Sequence, residues 1–103
     1  MLQTIALTFL GVLMGTNGIP HFVQGITARE YPNVTGNSAT HNAIAGLAAF
    51  AVAGALIAPA HVGRHPWPAL IAGALGAGVM SVFHARRGAY WLSRRFGKPL
   101  PEL

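Results

Sequence analysis

From Met1 to Ala28 the chain carries no charged side chain, and the pair Arg29-Glu30 closes the run. A helix rises about 1.5 Å per residue and needs roughly 20 residues to cross a hydrocarbon core of about 30 Å, so this run exceeds one crossing. Lipid offers no partner to an unpaired backbone N–H or C=O, which leaves only helices and closed barrels as spanning structures. Composition agrees with a lipid-facing chain: 9% of residues are charged, against roughly 25% in soluble domains. A further 52% are apolar and 13 are glycine. At 103 residues the chain is one domain at most, too poor in polar residues to cover a water-soluble core.

The formal charge of +5 would point to nucleic acid if it were spread along a soluble face. It is not spread. Arg86, Arg87, Arg94, Arg95 and Lys98 all lie in the last eighteen residues, directly after an apolar stretch, which is the pattern of a positive-inside anchor. Anionic lipid headgroups are the expected partner of this tail, and no nucleic acid is expected. With no cysteine, disulfides, thiolate metal sites and thiol chemistry are excluded. The apolar start lacks a basic n-region and a small-x-small cleavage site, so it reads as a retained span.

The expected fold is all-α, an integral membrane bundle of three transmembrane helices at about 2–26, 41–58 and 67–85. Thr16-Asn17-Gly18-Ile19-Pro20-His21 interrupts the first with a helix-weak pair and a proline, so a kink or break is expected at Asn17, Gly18 and Pro20. Residues 29–40 are rich in turn formers, and Asn37, Ser38 or Thr40 is suited to cap the second helix. Pro66-Trp67-Pro68 opens the third. No helix breaker follows until Pro99, so the third helix is expected to continue as a basic interfacial segment over 86–98, before a tail at 99–103. The basic tail places the C-terminus in the cytoplasm and the N-terminus outside. A re-entrant first segment with two true spans is the alternative topology.

Stepping by four from Ala69 meets only small residues: Ala69, Gly73, Ala77, Ser81, Ala85, Ala89, Ser93 and Gly97. The second helix has Ala45, Ala49 and Ala53, and the first Gly11 and Gly15. In lipid, helices associate where small residues let backbones approach, and a four-residue step favours right-handed crossings. These stripes pack either the helices of one protomer or a second copy or partner subunit.

The expected topology gathers Asn17, His21, Gln24, His41, Asn42, His84, Arg86 and Arg87 at the cytoplasmic interface, a candidate polar site because polar groups at that depth are costly unless satisfied. His21, His41 and His84 are imidazoles of a kind that binds zinc, copper, nickel or iron. No two form an H-x-x-x-H pair, and Glu30 is the one carboxylate nearby, so no metal is assigned. His21 and His84 on facing helices would also suit axial haem ligation. The expectation is that each histidine is an interfacial hydrogen bonder and that no cofactor is held. His61 and His65 fall on the opposite side, in solvent. Asn33-Val34-Thr35 matches a glycosylation acceptor, which has no meaning in an internal loop.

The run Asn17-Gly18-Ile19-Pro20-His21-Phe22-Val23-x-Gly25-Ile26-Thr27 resembles a motif of a group of small bacterial multi-span membrane proteins, over about a tenth of the chain. In that group a Pro- and Gly-containing polar loop and an asparagine entering the next span follow, which Tyr31-Pro32 to Asn42 loosely matches. The aromatic-glycine pair of the group is replaced here by Ala45-Gly46. The resemblance implies a bacterial source and functional weight on Asn17 to Gly25, and it carries no activity with it.

Small size, long small-residue faces and few intramembrane charges favour a non-enzymatic inner-membrane protein, acting as a homo-oligomer or as an accessory subunit of a larger membrane complex. A small-solute transporter or channel built from several copies is the alternative, although no acidic residue lies in any span. An enzyme ranks third, since histidine would have to be the acid-base group unaided.

Overall fold

The structure, a computed structural model, describes residues 1–101. Four α-helices run in the order α1 (Leu2–Ile26), α2 (Ala39–Ile57), α3 (Pro66–Ala85) and α4 (Gly88–Arg95), with two 3-10 turns, Ala58–Ala60 and Val62–Arg64, between α2 and α3. No strand occurs among the described residues. Helices α1, α2 and α3 are apolar and long enough to cross a membrane. The long axis of the molecule, 46 Å, compares with about 40–45 Å for a bilayer with its headgroups. Only 22% of the most apolar stretch of each of these helices is buried within the protein. Most of their surface is therefore left for lipid or for other chains.

Helix α1 is central. Both α2 and α3 pack along it and barely meet each other, so the three helices form an open layer. The close approaches rest on glycines. A Cβ on Gly46 would meet the Phe22 backbone nitrogen at 2.7 Å, and one on Gly76 would stand 2.5 Å from the Phe9 carbonyl oxygen. A Cβ on Gly25 would run into the backbone of Ala39 and Ala43.

The ends of α1 are tied to what flanks them. The last carbonyls of any helix lack intrahelical partners, and two in the 3-10 turn that follows α2 are taken by α1 side chains. Gln3 Nε2 donates to the Pro59 carbonyl at 2.7 Å, and Thr4 Oγ1 donates to the Ala60 carbonyl at 2.6 Å. At the other end Ser38 caps α2, its Oγ accepting from the His41 N–H at 3.1 Å. Ala28, His61 and Arg87 take left-handed backbone conformations near the ends of α1, α2 and α3, where glycine would be the usual choice.

Three expectations are corrected. First, of the kink or break expected at Asn17, Gly18 and Pro20, the break does not occur: α1 is one helix from Leu2 to Ile26 with Pro20 inside. Proline removes one hydrogen bond. Packing supports the weak turn, because Gly18 is buried against Phe50, Ala49 and the Gly46 carbonyl, where a Cβ would find 2.9–3.0 Å. Second, α3 does not continue into the basic segment. It ends at Ala85, Arg87 turns with φ 61°, and α4 starts at Gly88, packed under the Phe83 ring where no Cβ fits.

Third, the four-residue stripe on α3 is not one buried face. Ala69 and Gly73 are buried and Ala77 half-buried, while Ser81 and Ala85 are exposed. Four residues turn a helix by about 400°, so a strict four-step line rotates away from its contact. The buried positions follow mixed steps of four and three: Thr4, Thr8, Gly11, Gly18 and His21 with half-buried Gly15 on α1, and Asn42, Gly46, Ala49 and Ala53 on α2. Ala45 is only half-buried. On α3 the buried set is Ala69, Ala72, Gly73 and Gly76. That spacing belongs to left-handed, coiled-coil-like packing rather than to the right-handed crossing a four-step line implies.

Two glycines of α3 give a test. Gly76→Ala should cost about 1–3 kcal/mol by forcing α1 and α3 apart. Gly78→Ala, where nothing lies within 4 Å of the new carbon, should be neutral or stabilise by up to about 1 kcal/mol through helix propensity. Reversible unfolding in bicelles measures both. Equal effects would mean that the α1–α3 contact lies elsewhere.

Candidate functional site

Four of the expected site residues meet at the end of the molecule where α1 and α3 finish and α2 begins: Asn17 and His21 on α1, Asn42 on α2 and His84 on α3. The loop between α1 and α2 adds a fifth, Tyr31. Asn42, wholly buried, is the organising group. Its Nδ2 donates to three backbone carbonyls, those of Tyr31 at 2.9 Å, Ser38 at 3.0 Å and Asn37 at 3.1 Å. Three carbonyls on one side fix which end of the carboxamide is nitrogen. Oδ1 therefore faces His21 Nδ1, 2.6 Å away, and Nδ1 must carry the proton that bridges them. In a neutral imidazole that leaves Nε2 with a lone pair.

A second chain runs beside the first. The Tyr31 hydroxyl meets His84 Nδ1 at 3.1 Å, and His84 Nε2 meets Asn17 Oδ1 at 2.8 Å. Asn17 Oδ1 only accepts, so Nε2–H donates and Nδ1 takes the tyrosine proton. The rings also touch: His21 stands edge-on to Tyr31 with centroids 5.1 Å apart and to His84 at 5.9 Å, and Tyr31 meets Tyr90 of α4 at 6.0 Å. The Arg87 guanidinium lies 4.8 Å over the Tyr90 ring, a cation–π contact. All three long helices, the loop and α4 are thus joined through one patch of polar and aromatic groups.

The other expected members lie apart from this cluster. His41, one residue before Asn42, is turned about 100° around α2, and its Nε2 pairs with Thr35 Oγ1 in the loop at 2.6 Å. Gln24 is half-buried on α1 and makes no side-chain hydrogen bond among the described residues. Arg86 is exposed and faces a cavity of about 580 Å³ that Arg87, Tyr90, Trp91, Arg94, Leu100 and Pro101 also line. Tyr31 was not expected in the site. The signal that marks it is the tyrosine-proline pair in a loop rich in turn formers, whose Pro32 is buried.

No three His, Cys, Asp or Glu side chains converge as metal ligands among the described residues. The haem arrangement does not fit either: the His21 and His84 rings meet edge to face, and both His84 nitrogens are engaged in hydrogen bonds. Beside the network lies a cavity of about 130 Å³, lined by Asn17, His21, Phe83 and His84 from the spans, Pro32, Asn33 and Val34 from the loop, and Ala89, Leu92 and Ser93 from α4. Burial pushes the Tyr31 phenol above the usual tyrosine value, and neighbouring Tyr90 adds to the shift. No family model, curated protein or solved structure matches the chain.

Two outcomes follow. In a double-mutant cycle, His21→Ala and Asn42→Ala should couple by about 0.6–1.7 kcal/mol, the range of hydrogen bonds between membrane helices. Additive effects would mean that the 2.6 Å contact holds nothing. The folded state also grips the Tyr31 proton more tightly than the unfolded chain. The stability this supports is intact below about pH 10 and falls as pH rises from there toward the raised folded value. Tyr31→Phe should flatten that decline in bicelle unfolding against pH, and Tyr90→Phe should flatten it less.

Proposed function

We propose that the chain is a non-enzymatic subunit of a bacterial inner membrane that works by assembly, through packing against a larger membrane complex or against copies of itself. The observation that carries this reading is the open layer of helices. Because α2 and α3 flank α1 without closing on each other, a groove of about 750 Å³ runs over α1, lined by Thr8, Val12, Ile57, Trp67, Leu70 and the small residues Ala69, Gly73, Ala74 and Ala77. Small residues along an apolar groove let another helix backbone come close, which is how association gains energy in lipid. The buried Thr8 hydroxyl, also on this groove, has no hydrogen-bond partner in the protomer.

The arginines in and just before α4 fit the same picture. Arg86, Arg87 and Arg94 around the cavity beside Tyr90 and Trp91 would hold anionic headgroups at the tail face, with the aromatics at headgroup depth. In this orientation the tail is cytoplasmic and the N-terminus outside.

Association measured by native mass spectrometry from lipid nanodiscs tests the assembly reading. Ala74→Trp fills the groove from an exposed position, and should abolish association while changing protomer unfolding by no more than about 0.5 kcal/mol. Leu75→Trp, on the neighbouring exposed face, should leave association intact. A ring of copies around a polar pore, undisturbed by Ala74→Trp, would favour transport instead. Single cysteines at Glu30, Gly63 and Leu100, probed with an impermeant thiol reagent in intact cells, test the orientation: only Gly63→Cys should react.

A further inference from the structure

The polar network leaves several hydrogen-bonding groups unspent, and they border one space. His21 Nδ1 is committed to Asn42, so its Nε2 lone pair has no partner among the described residues. Asn17 and Asn33 use their Oδ1 atoms, on His84 and on Thr35, while their Nδ2 groups donate to nothing described. Ser93 is 1% exposed, and its buried hydroxyl has no hydrogen-bond partner among the described residues. All four residues line the cavity of about 130 Å³ between the spans, the loop and α4. A buried hydroxyl without a partner costs stability, so its retention beside three other unfilled groups calls for an occupant.

The walls select among occupants. The Phe83 ring, Leu92, Val34, Pro32 and Ala89 supply an apolar part of the lining and His84 completes it, so the wall mixes polar and apolar groups. A cavity of this mixed character suits a small organic molecule with few polar atoms. Its volume is close to the roughly 150 Å³ that accepts benzene in an engineered apolar cavity. No arginine or carboxylate lines it, which selects a neutral ligand. A hydroxyl on that ligand would donate to the His21 lone pair and accept from Ser93 or an asparagine amide.

We propose that this cavity is a binding site for a neutral, hydroxyl-bearing six-membered ring of phenol or hydroquinone size, held by His21 Nε2 and the Ser93 hydroxyl against the Phe83 wall. The site does not depend on the assembly reading, since every residue in it belongs to one protomer.

Phenol is the probe, and benzene is its match in shape without the hydroxyl. Titration of isotopically labelled protein in detergent micelles should give saturable shifts at the amides of Asn33, Ala89 and Ser93, with a dissociation constant of about 1 mM or tighter. Benzene should bind about tenfold more weakly, and Ser93→Ala should weaken phenol by a similar factor. Ser93→Ala removes a hydroxyl that bonds to nothing in the protein, so the fold should be unaffected. Val34→Phe, which fills the cavity from the loop, should abolish the shifts while the helical circular dichroism signal is retained. The proposal is overturned by benzene binding as tightly as phenol, by shifts that survive Val34→Phe, or by no saturable shift in the native protein.

Discussion

A single carboxamide decides how this molecule is put together. Asn42 sits in the first turn of α2, where the helix still has unpaired groups and the incoming loop has no regular structure to satisfy its carbonyls. Three backbone carbonyls converge on Nδ2, which leaves Oδ1 only one way to face. That fixes the bond to His21, ties α2 to α1, and holds Tyr31 over the end of α3. Tyr31 in turn aligns His84 with Asn17. At the depth of a membrane interface these groups would be costly apart. Together each meets a partner.

Much of this arrangement is legible in the residues. The bounds of the three long apolar helices fall within two residues of where charge, turn formers and prolines place them, while the continuation of the third over 86–98 does not occur. The gathering of Asn17, His21, Asn42 and His84 follows from topology alone. What the residues do not disclose is tertiary in origin. Asn17-Gly18-Ile19-Pro20 reads as a break in isolation, yet Gly18 is needed flat against α2, and that contact supports the turn. Arg87 has no local reason to adopt a left-handed conformation. The reason is Gly88 beneath the Phe83 ring, which returns α4 to the tail face. The four-step stripe misleads because periodicity by itself does not say which of two nearby faces is in contact.

The two ends of the molecule differ in what they leave open. At the tail end, polar groups are mostly spent on each other, and the remainder border a cavity one ring in size. Toward the other end, the open layer exposes an apolar groove with a single buried hydroxyl on it. A subunit that assembles through one region and holds a small neutral molecule in another would need both features, and neither requires the other.

The neutral tautomer of His21 is the most direct test of the account, since it follows from the orientation of Asn42 and the unspent lone pair rests on it. Nitrogen NMR of histidine-labelled protein in lipid nanodiscs at about pH 8 distinguishes the two ring nitrogens. A protonated Nδ1 in slow exchange with water, with an unprotonated Nε2, is the predicted result, and Asn42→Leu should remove the slow exchange. A proton on Nε2 with Nδ1 bare would contradict it, because Asn42 Oδ1 would then face a lone pair and the network described here would not exist.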